Sequence, residues 1–194
     1  MKFFHLSDLH IGKQLHYYNL AENQQAVLAQ IVGLAKEHRP DAILICGDIF
    51  DRSIPSGEAY TVFDGFLQEL AGLEPQIPVL IIAGNHDNAK RLSYASSFLE
   101  KHQIYVSVMA PTQPDEYLKK VALQDGHGEV SFYLLPFLKP GYVRHLFEEG
   151  VVTNYESAVQ GILGREQVDY TKRNVLLSHQ FYTSQGQKPQ TCDS

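Results

Sequence analysis

The stretch Ala42-Ile43-Leu44-Ile45-Cys46-Gly47-Asp48-Ile49-Phe50-Asp51 decides the fold, because an unbroken apolar run ends there in a glycine and carboxylates. The same pattern of an apolar run followed by polar residues occurs at Lys2–His10, Val79–Asp87 and Asn174–His179. Short, continuous apolar runs are typical of parallel strands that are buried on both faces. Ligand sites of open α/β sheets lie outside the carboxyl ends of such strands. The sequence therefore predicts that acidic, amide and imidazole side chains gather at one edge of a sheet.

Helices are predicted between these strands. Asn19–Glu22 resembles a capping box that opens a helix, and apolar residues recur at helical spacing between 59 and 71. The turn residues Asp125–Gly128 lie between two apolar runs and predict a β-hairpin. We therefore expect an α/β fold, a two-sheet mixed β sandwich flanked by helices, over residues 1–181. The polar tail, 182–194, shows neither pattern and is expected to be a loop or disordered.

The composition indicates a single globular domain, with 44% hydrophobic and 20% charged residues in 194. No apolar run approaches the ~18 residues of a membrane span, and Met1–His5 lacks the layout of a signal peptide. Cys46 and Cys192 are the only cysteines, which fits the reducing cytoplasm. The net charge of −6 argues mildly against nucleic-acid binding. Bound divalent ions would return positive charge to the site.

The polar residues that end the predicted strands fit a pair of divalent ions. Carboxylate, amide and imidazole groups, without a thiolate, suit manganese, magnesium, iron or zinc. Asp48 is the expected bridge between two ions. Asp8 and His10 are expected to hold one ion, and Asn85 and His179 the other. The sequence therefore predicts a metal-dependent phosphoester hydrolase.

The remaining polar residues of the motifs each have two possible roles. His86 is expected to protonate the leaving oxygen as a general acid, and the alternative is that it orients Asp8 or Asp48. Asp51 and Asp87 are expected to cap turns or to hydrogen-bond metal ligands. Three cations follow the motifs and either contact phosphate or are solvated surface charges: Lys13, Arg52 and Arg91.

The motifs Asp8–Lys13, Gly47–Asp51, Gly84–Asp87 and Ser178–Phe181 resemble the calcineurin-like metallophosphoesterase superfamily and, within it, the SbcD-type DNA exonuclease subunits. The resemblance covers essentially all of this sequence, but only about the N-terminal half of a typical family member. It implies a manganese-dependent exonuclease and endonuclease for DNA ends and hairpins, with magnesium as an alternative ion. It also implies a role in DNA repair with an SbcC-like coiled-coil ATPase, and a homodimer. The implied ligands are Asp8, His10 and Asp48 for one ion and Asp48, Asn85 and His179 for the other, with His86 in catalysis.

One departure from that family is a missing motif. The G-H-x-H motif supplies a histidine to each ion in the family and does not occur in this sequence. The chain is therefore expected to be an N-terminal part of a longer nuclease, weakly active or inactive by itself. Two alternatives stay open: another metallophosphoesterase that acts on nucleotides or phosphoproteins, and an inactive fragment that serves as a docking or dimerisation module. By the same resemblance, a dimer interface is expected at Val62, Phe66, Leu70, Tyr94 and Phe98, unless these residues pack on the sheet.

Overall fold

The computed structural model describes residues 1–183, which form two β-sheets between layers of helices. In chain order the strands are β1 (Phe3–Leu6), β2 (Gln14–Leu15), β3 (Tyr18–Asn19), β4 (Ala42–Cys46), β5 (Val79–Ile82), β6 (Ile104–Ser107), β7 (Lys119–Asp125), β8 (Gly128–Leu135) and β9 (Arg173–Ser178). The helices are α1 (Ala21–His38), α2 (Gly57–Ala71), α3 (Ala89–Leu92), α4 (Ser96–Glu100), α5 (Pro140–Val143) and α6 (Tyr155–Arg165), with a 3₁₀ turn at Arg144–Leu146. The predicted polar tail lies outside the described residues from 184 onward.

The first sheet is parallel and has the strand order β1-β4-β5-β6. The second sheet is mixed, because β8 pairs antiparallel with β7 and parallel with β9. A separate small hairpin is formed by β2 and β3. This arrangement confirms the predicted α/β fold with two packed sheets.

Three apolar clusters fill the spaces between the layers. Ile43 and Ile81 of the parallel sheet pack against α1 and α2. On the opposite face of that sheet, Leu80 meets Phe132 of the second sheet. The outer face of the second sheet packs on α5 and α6 through Leu135. Both faces of β4 and β5 are therefore buried, which is why these strands have no polar alternation.

The apolar stripe of α2 belongs to this core. Val62, Phe66 and Leu70 are buried against the sheet. The expectation that these three residues form a dimer interface is therefore wrong, since their side chains are already covered within the chain. Tyr94 and Phe98 are exposed.

The start of α1 also differs from the prediction. Its N-cap is Leu20, which makes no side-chain capping bond, so the expected capping box is absent. Asn19 is instead the last residue of β3, and its amide Nδ2 donates to Glu58 at 3.0 Å. None of the helices within residues 1–183 combines the length and the apolar composition that a membrane span requires.

Candidate metal centre

The carboxyl ends of β1, β4, β5 and β9 meet at a cavity of about 460 Å³. Carboxylate, amide and imidazole groups from all four strand ends line it, together with the rings of Phe137 and Phe181. The parallel packing of the strands thus brings together side chains that lie far apart in the sequence. His5 of β1 also lines this cavity.

The carboxylate of Asp48 lies at the centre of the polar cluster and is only 3% exposed. Its Oδ2 atom is 3.5 Å from Nε2 of His179, 3.8 Å from Nε2 of His10 and 4.0 Å from Nε2 of His86. Its Oδ1 atom accepts the backbone N–H of His86 at 2.9 Å. One buried carboxylate oxygen is therefore faced by three imidazole nitrogens.

The other ring nitrogens of these histidines are turned away from the centre. Nδ1 of His179 donates to the carbonyl of Cys46 at 2.8 Å, and Nδ1 of His86 donates to the carbonyl of Asp51 at 2.9 Å. Nδ1 of His10 is buried, has no hydrogen bond, and lies 3.5 Å from Oδ1 of Asp51. Histidines that bind metal through one nitrogen usually hold the other against a carbonyl or carboxylate. The rings of His86 and His179 are oriented in this way, and Nε2 of all three histidines faces the carboxylate of Asp48.

The ligand atoms form two groups that share one carboxylate. His10, Asp48 and His86 make up one group, and Asp8, Asp48 and His179 the other, with the atoms of each group within 4.8 Å of one another. The sequence analysis paired Asp8 with His10, whose Nε2 is also 3.9 Å from Oδ1 of Asp8. Asp8 therefore lies within reach of both His10 and His179.

The amide of Asn85 joins the cluster next to His179. Its Oδ1 atom lies 3.2 Å from Nε2 of His179. Asn85 is exposed at the cavity wall, so its oxygen is accessible as a neutral ligand.

The ionisation of the central pair follows from these contacts. Burial opposes the charge on Asp48, but hydrogen bonds from the His179 side chain and the His86 backbone outweigh it and hold the pKa of Asp48 below its usual value. The hydrogen bond with Asp48 raises the pKa of His179, although burial acts in the opposite direction. Asp48 is therefore ionised at neutral pH, as a bridging carboxylate must be.

Three of the predicted ligands have strained backbones. Asp8, His10 and Asp48 have φ values of 57°, 43° and 50°. Left-handed conformations of non-glycine residues cost about 1–3 kcal/mol each and are frequent at functional sites. Backbone bonds between the first two motifs hold them, including Asp8 N–H to the Gly47 carbonyl at 3.1 Å.

Two glycines allow the motifs to approach one another. Gly47 has φ +88°, and a Cβ there would lie 2.5 Å from Nδ1 of His179. A Cβ on Gly84 would lie 2.2 Å from Oδ1 of Asp48. Only glycine fits at either position while the ligands keep their places, a requirement that the sequence analysis missed.

Asp87 connects the second and third motifs. Its carboxylate accepts the backbone N–H groups of Gly84 at 2.8 Å, Phe50 at 3.0 Å and Ile49 at 3.2 Å. Burial raises the pKa of Asp87 in spite of these bonds. The side chain thus fixes the two loops that carry Asp48 and Asn85.

The predicted phosphate-binding cations are not among the residues that line the cavity. Lys13 and Arg91 are exposed. Arg52 is the one of these three cations that forms an ion pair within residues 1–183, with Nε 3.9 Å from Oδ2 of Asp51. Lys13 and Arg52 lie on the loops that follow the first two motifs, whereas Arg91 lies in α3.

The donor set fits divalent ions. Two groups of nitrogen and oxygen atoms share a buried carboxylate, which is the arrangement that a pair of ions requires. Cys46 also lines the cavity, but burial raises the pKa of its thiol to about 12. Cys46 is therefore protonated at neutral pH and does not supply a thiolate ligand. The site favours ions that prefer oxygen and imidazole ligands.

Known proteins are similar to this chain over most of its length. The sequence model of the calcineurin-like phosphoesterases matches residues 1–184. The chain is 33% identical over 181 residues to the SbcD subunit of nuclease SbcCD from Staphylococcus epidermidis, and 30% identical over 181 residues to that from Staphylococcus saprophyticus. Each alignment covers 92% of this chain and 46% of the relative, so the chain spans about half the length of the curated relatives it matches. The solved structure of Yfce, a phosphoesterase from E. coli, is 14% identical to this chain. The alignment covers 72% of this chain and 65% of Yfce, and its TM-score of 0.33 is too low to support a conclusion.

Proposed function

Because this chain belongs to the calcineurin-like phosphoesterase family, we propose that it is a metal-dependent phosphodiesterase that hydrolyses DNA. The observation that carries this proposal is the position of Asp48, whose buried carboxylate lies 3.8 Å from Nε2 of His10 and 3.5 Å from Nε2 of His179. A shared carboxylate supports a pair of ions, which stabilise both the attacking and the leaving oxygen of a phosphodiester when they are bound. The ligands we propose are Asp8, His10, Asp48, Asn85 and His179.

We assign the general acid to His86. Its side chain is 44% exposed, compared with 20% for His10 and 14% for His179, so it is the histidine most accessible to a substrate. The carbonyl of Asp51 holds its Nδ1 proton, which turns Nε2 toward the centre. A proton held at Nε2 is then positioned for transfer to a leaving oxygen, and the carboxylate of Asp48 stabilises the charged ring.

The substrate and partners follow from the relatives. Both curated relatives carry the name of the nuclease SbcCD, of which each is the SbcD component. By that similarity we propose DNA ends or hairpins as the substrate, manganese as the preferred ion with magnesium as the alternative, and a coiled-coil ATPase of the SbcC type as a partner in DNA repair. A homodimer is part of the same proposal, and the exposed rings of Tyr94 and Phe98 offer an apolar contact surface for it.

The test compares three substrates with the same protein. Labelled linear DNA, a cyclic nucleotide and a phosphoserine peptide are incubated with the chain in Mn²⁺ and in EDTA. We expect nucleotide release from DNA in Mn²⁺ alone, loss of that activity in Asp48→Asn, and no loss in Asp115→Asn, which removes an exposed carboxylate elsewhere. Hydrolysis of the cyclic nucleotide or the peptide, without cleavage of DNA, would instead identify a phosphoesterase of the alternative kind.

A docking or dimerisation module remains the second candidate function. The sequence contains no G-H-x-H motif, so each ligand group lacks the histidine that this motif supplies in the family. We therefore expect weak metal binding and low activity from this chain. A protein that binds no Mn²⁺ and cleaves none of the three substrates, yet forms a stable dimer in light scattering, would favour the docking function.

A further inference from the structure

The segment between the first motif and α1 forms a hairpin whose side chains are all exposed. We call residues 14–19, which comprise β2, β3 and their turn, the tyrosine hairpin. Its register places Leu15 directly opposite Tyr18, so these two side chains lie side by side. The exposed fractions are 62% for Leu15, 104% for Tyr17 and 68% for Tyr18.

The tyrosine hairpin is fixed to the metal-binding end of the sheet. Nε2 of Gln24 donates to the carbonyl of His10 at 2.8 Å, which ties α1 to the first motif. At the other end, Asn19 donates to Glu58 of α2 at 3.0 Å. Leu15 follows His10 by five residues, so at about 3.6 Å per residue it lies within about 18 Å of that predicted ligand. The exposed rings are therefore held close to the site where a phosphodiester would bind.

Packing within the folded chain does not explain why these tyrosine rings are present at an exposed position. A two-stranded hairpin is at best marginally stable by itself, and Tyr17 and Tyr18 belong to none of the apolar clusters. The side chains around the hairpin carry both signs of charge, since Asn19 donates to the carboxylate of Glu58 and Arg52 pairs with Asp51. Lys13 lies at the root of the hairpin, Arg52 is exposed on the next loop of the site, and residues 14–19 contain no acidic side chain.

We propose that the tyrosine hairpin is a stacking platform for the unpaired bases of single-stranded DNA that leads into the metal site. This inference rests on the proposed function. Unpaired bases stack on Tyr17 and on the face formed by Leu15 and Tyr18, while Lys13 and Arg52 contact the phosphates. Every base has a π-face, so the platform tolerates any sequence. A blunt duplex binds it weakly, because its bases are already stacked on one another.

The size of the surface also favours nucleic acid over a protein partner. A large aromatic side chain buries ~150–250 Å², whereas a standard protein interface buries about 800 Å² on each partner. The three apolar side chains of the tyrosine hairpin supply too little area for a stable protein complex. Stacking needs only one ring for each base.

The test measures binding of a fluorescent oligothymidylate and of a blunt duplex by anisotropy in EDTA, which prevents hydrolysis. We expect Tyr17→Ala and Tyr18→Ala each to weaken oligothymidylate binding by about 5- to 150-fold, with a smaller effect on the duplex. Tyr17→Phe and Tyr18→Phe keep the ring and should retain binding. Tyr170→Ala is the matched control, because Tyr170 is 88% exposed and precedes β9 at the opposite end of the sheet.

A second readout separates this inference from the proposed function. Mn²⁺-dependent hydrolysis of bis(p-nitrophenyl) phosphate, which has no base to stack, reports on the metal site alone and should be equal in the natural protein and in all of these variants. Unchanged oligothymidylate binding in both alanine variants would overturn the stacking platform, even if this hydrolysis persists. An equal loss for the duplex, or a change from dimer to monomer in light scattering, would also overturn it. Absence of the hydrolysis from every protein, with oligothymidylate binding still dependent on the rings, would reject the proposed function instead.

Discussion

Replacing Gly47 with alanine tests how closely the backbone approaches the metal centre. The left-handed conformation, φ +88°, costs an alanine about 1–2 kcal/mol. The new Cβ would also lie 2.5 Å from Nδ1 of His179, whereas ordinary contact begins at 3.4 Å, so the ring must recede by about 0.9 Å. That movement breaks the 2.8 Å hydrogen bond to the Cys46 carbonyl and displaces Nε2 from Asp48.

Gly150 offers a matched control for the backbone strain. It has φ +85°, and nothing lies within 4 Å of a Cβ placed there. Gly150→Ala should lower the free energy of unfolding by about 1–2 kcal/mol in a urea titration, and should leave the Mn²⁺ affinity unchanged. Gly47→Ala should lose about 1–3 kcal/mol more through overpacking and bind Mn²⁺ at least about 10-fold more weakly. Equal Mn²⁺ affinity of the two variants in calorimetry would refute the close approach of Gly47 to His179.

Two further substitutions probe residues around the ligands, and a third probes an ion pair away from the site. Asp87→Asn should lower the free energy of unfolding by about 1–3 kcal/mol, because an amide cannot accept all three backbone N–H groups; an unchanged urea midpoint would contradict this. Asp51→Ala should weaken Mn²⁺ binding by about 10–100-fold and release the ring of His10, which ¹⁵N NMR would report as a mixture of tautomers in place of one. Hydrogen bonds from Arg173 hold the pKa of Asp125 in the folded protein well below its usual 3.8. The stability that this carboxylate adds is therefore fully present above pH 3.8, and it is lost as the pH falls through the folded-state pKa. Asp125→Asn should therefore be less stable than the natural protein at pH 7, and the difference should shrink steadily as the pH falls below 3.8; a difference that stayed constant from neutral pH to well below 3.8 would count against this ion pair.

The sheet and the position of the site were predictable because buried parallel strands leave a direct signal. All five residues of β4 are buried, and a short, unbroken apolar run is typical of a strand that is covered on both faces. The carboxyl ends of such strands share one edge, so the residues that follow them converge whatever their separation along the chain. Cys46 and His179 are 133 residues apart and nevertheless share a hydrogen bond.

The local features of the site could not be predicted in this way. The tyrosine hairpin has strands of two residues, too short for any periodicity, and it makes Asn19 a strand residue that accepts the N–H of Ala21 at 3.0 Å without being the N-cap. The need for glycine at Gly47 and Gly84 arises from contacts with distant residues, which no local pattern contains. Which ligands lie next to one another depends on the left-handed backbone at Asp8. The geometry of the turn, and not the direction of the strand, orients the side chain there.

The most direct test of a two-ion centre is a Mn²⁺ titration of the 194-residue chain followed by electron paramagnetic resonance. At saturating Mn²⁺ we expect two weakly bound ions per chain, with the dipolar coupling of a pair about 3.5–4 Å apart. Asp48→Asn should lose both ions together, because its carboxylate is shared by both ligand groups. The exposed-site control Asp115→Asn should keep both. Two uncoupled ions in the natural protein, or an Asp48→Asn variant that still binds one ion tightly, would contradict the shared carboxylate.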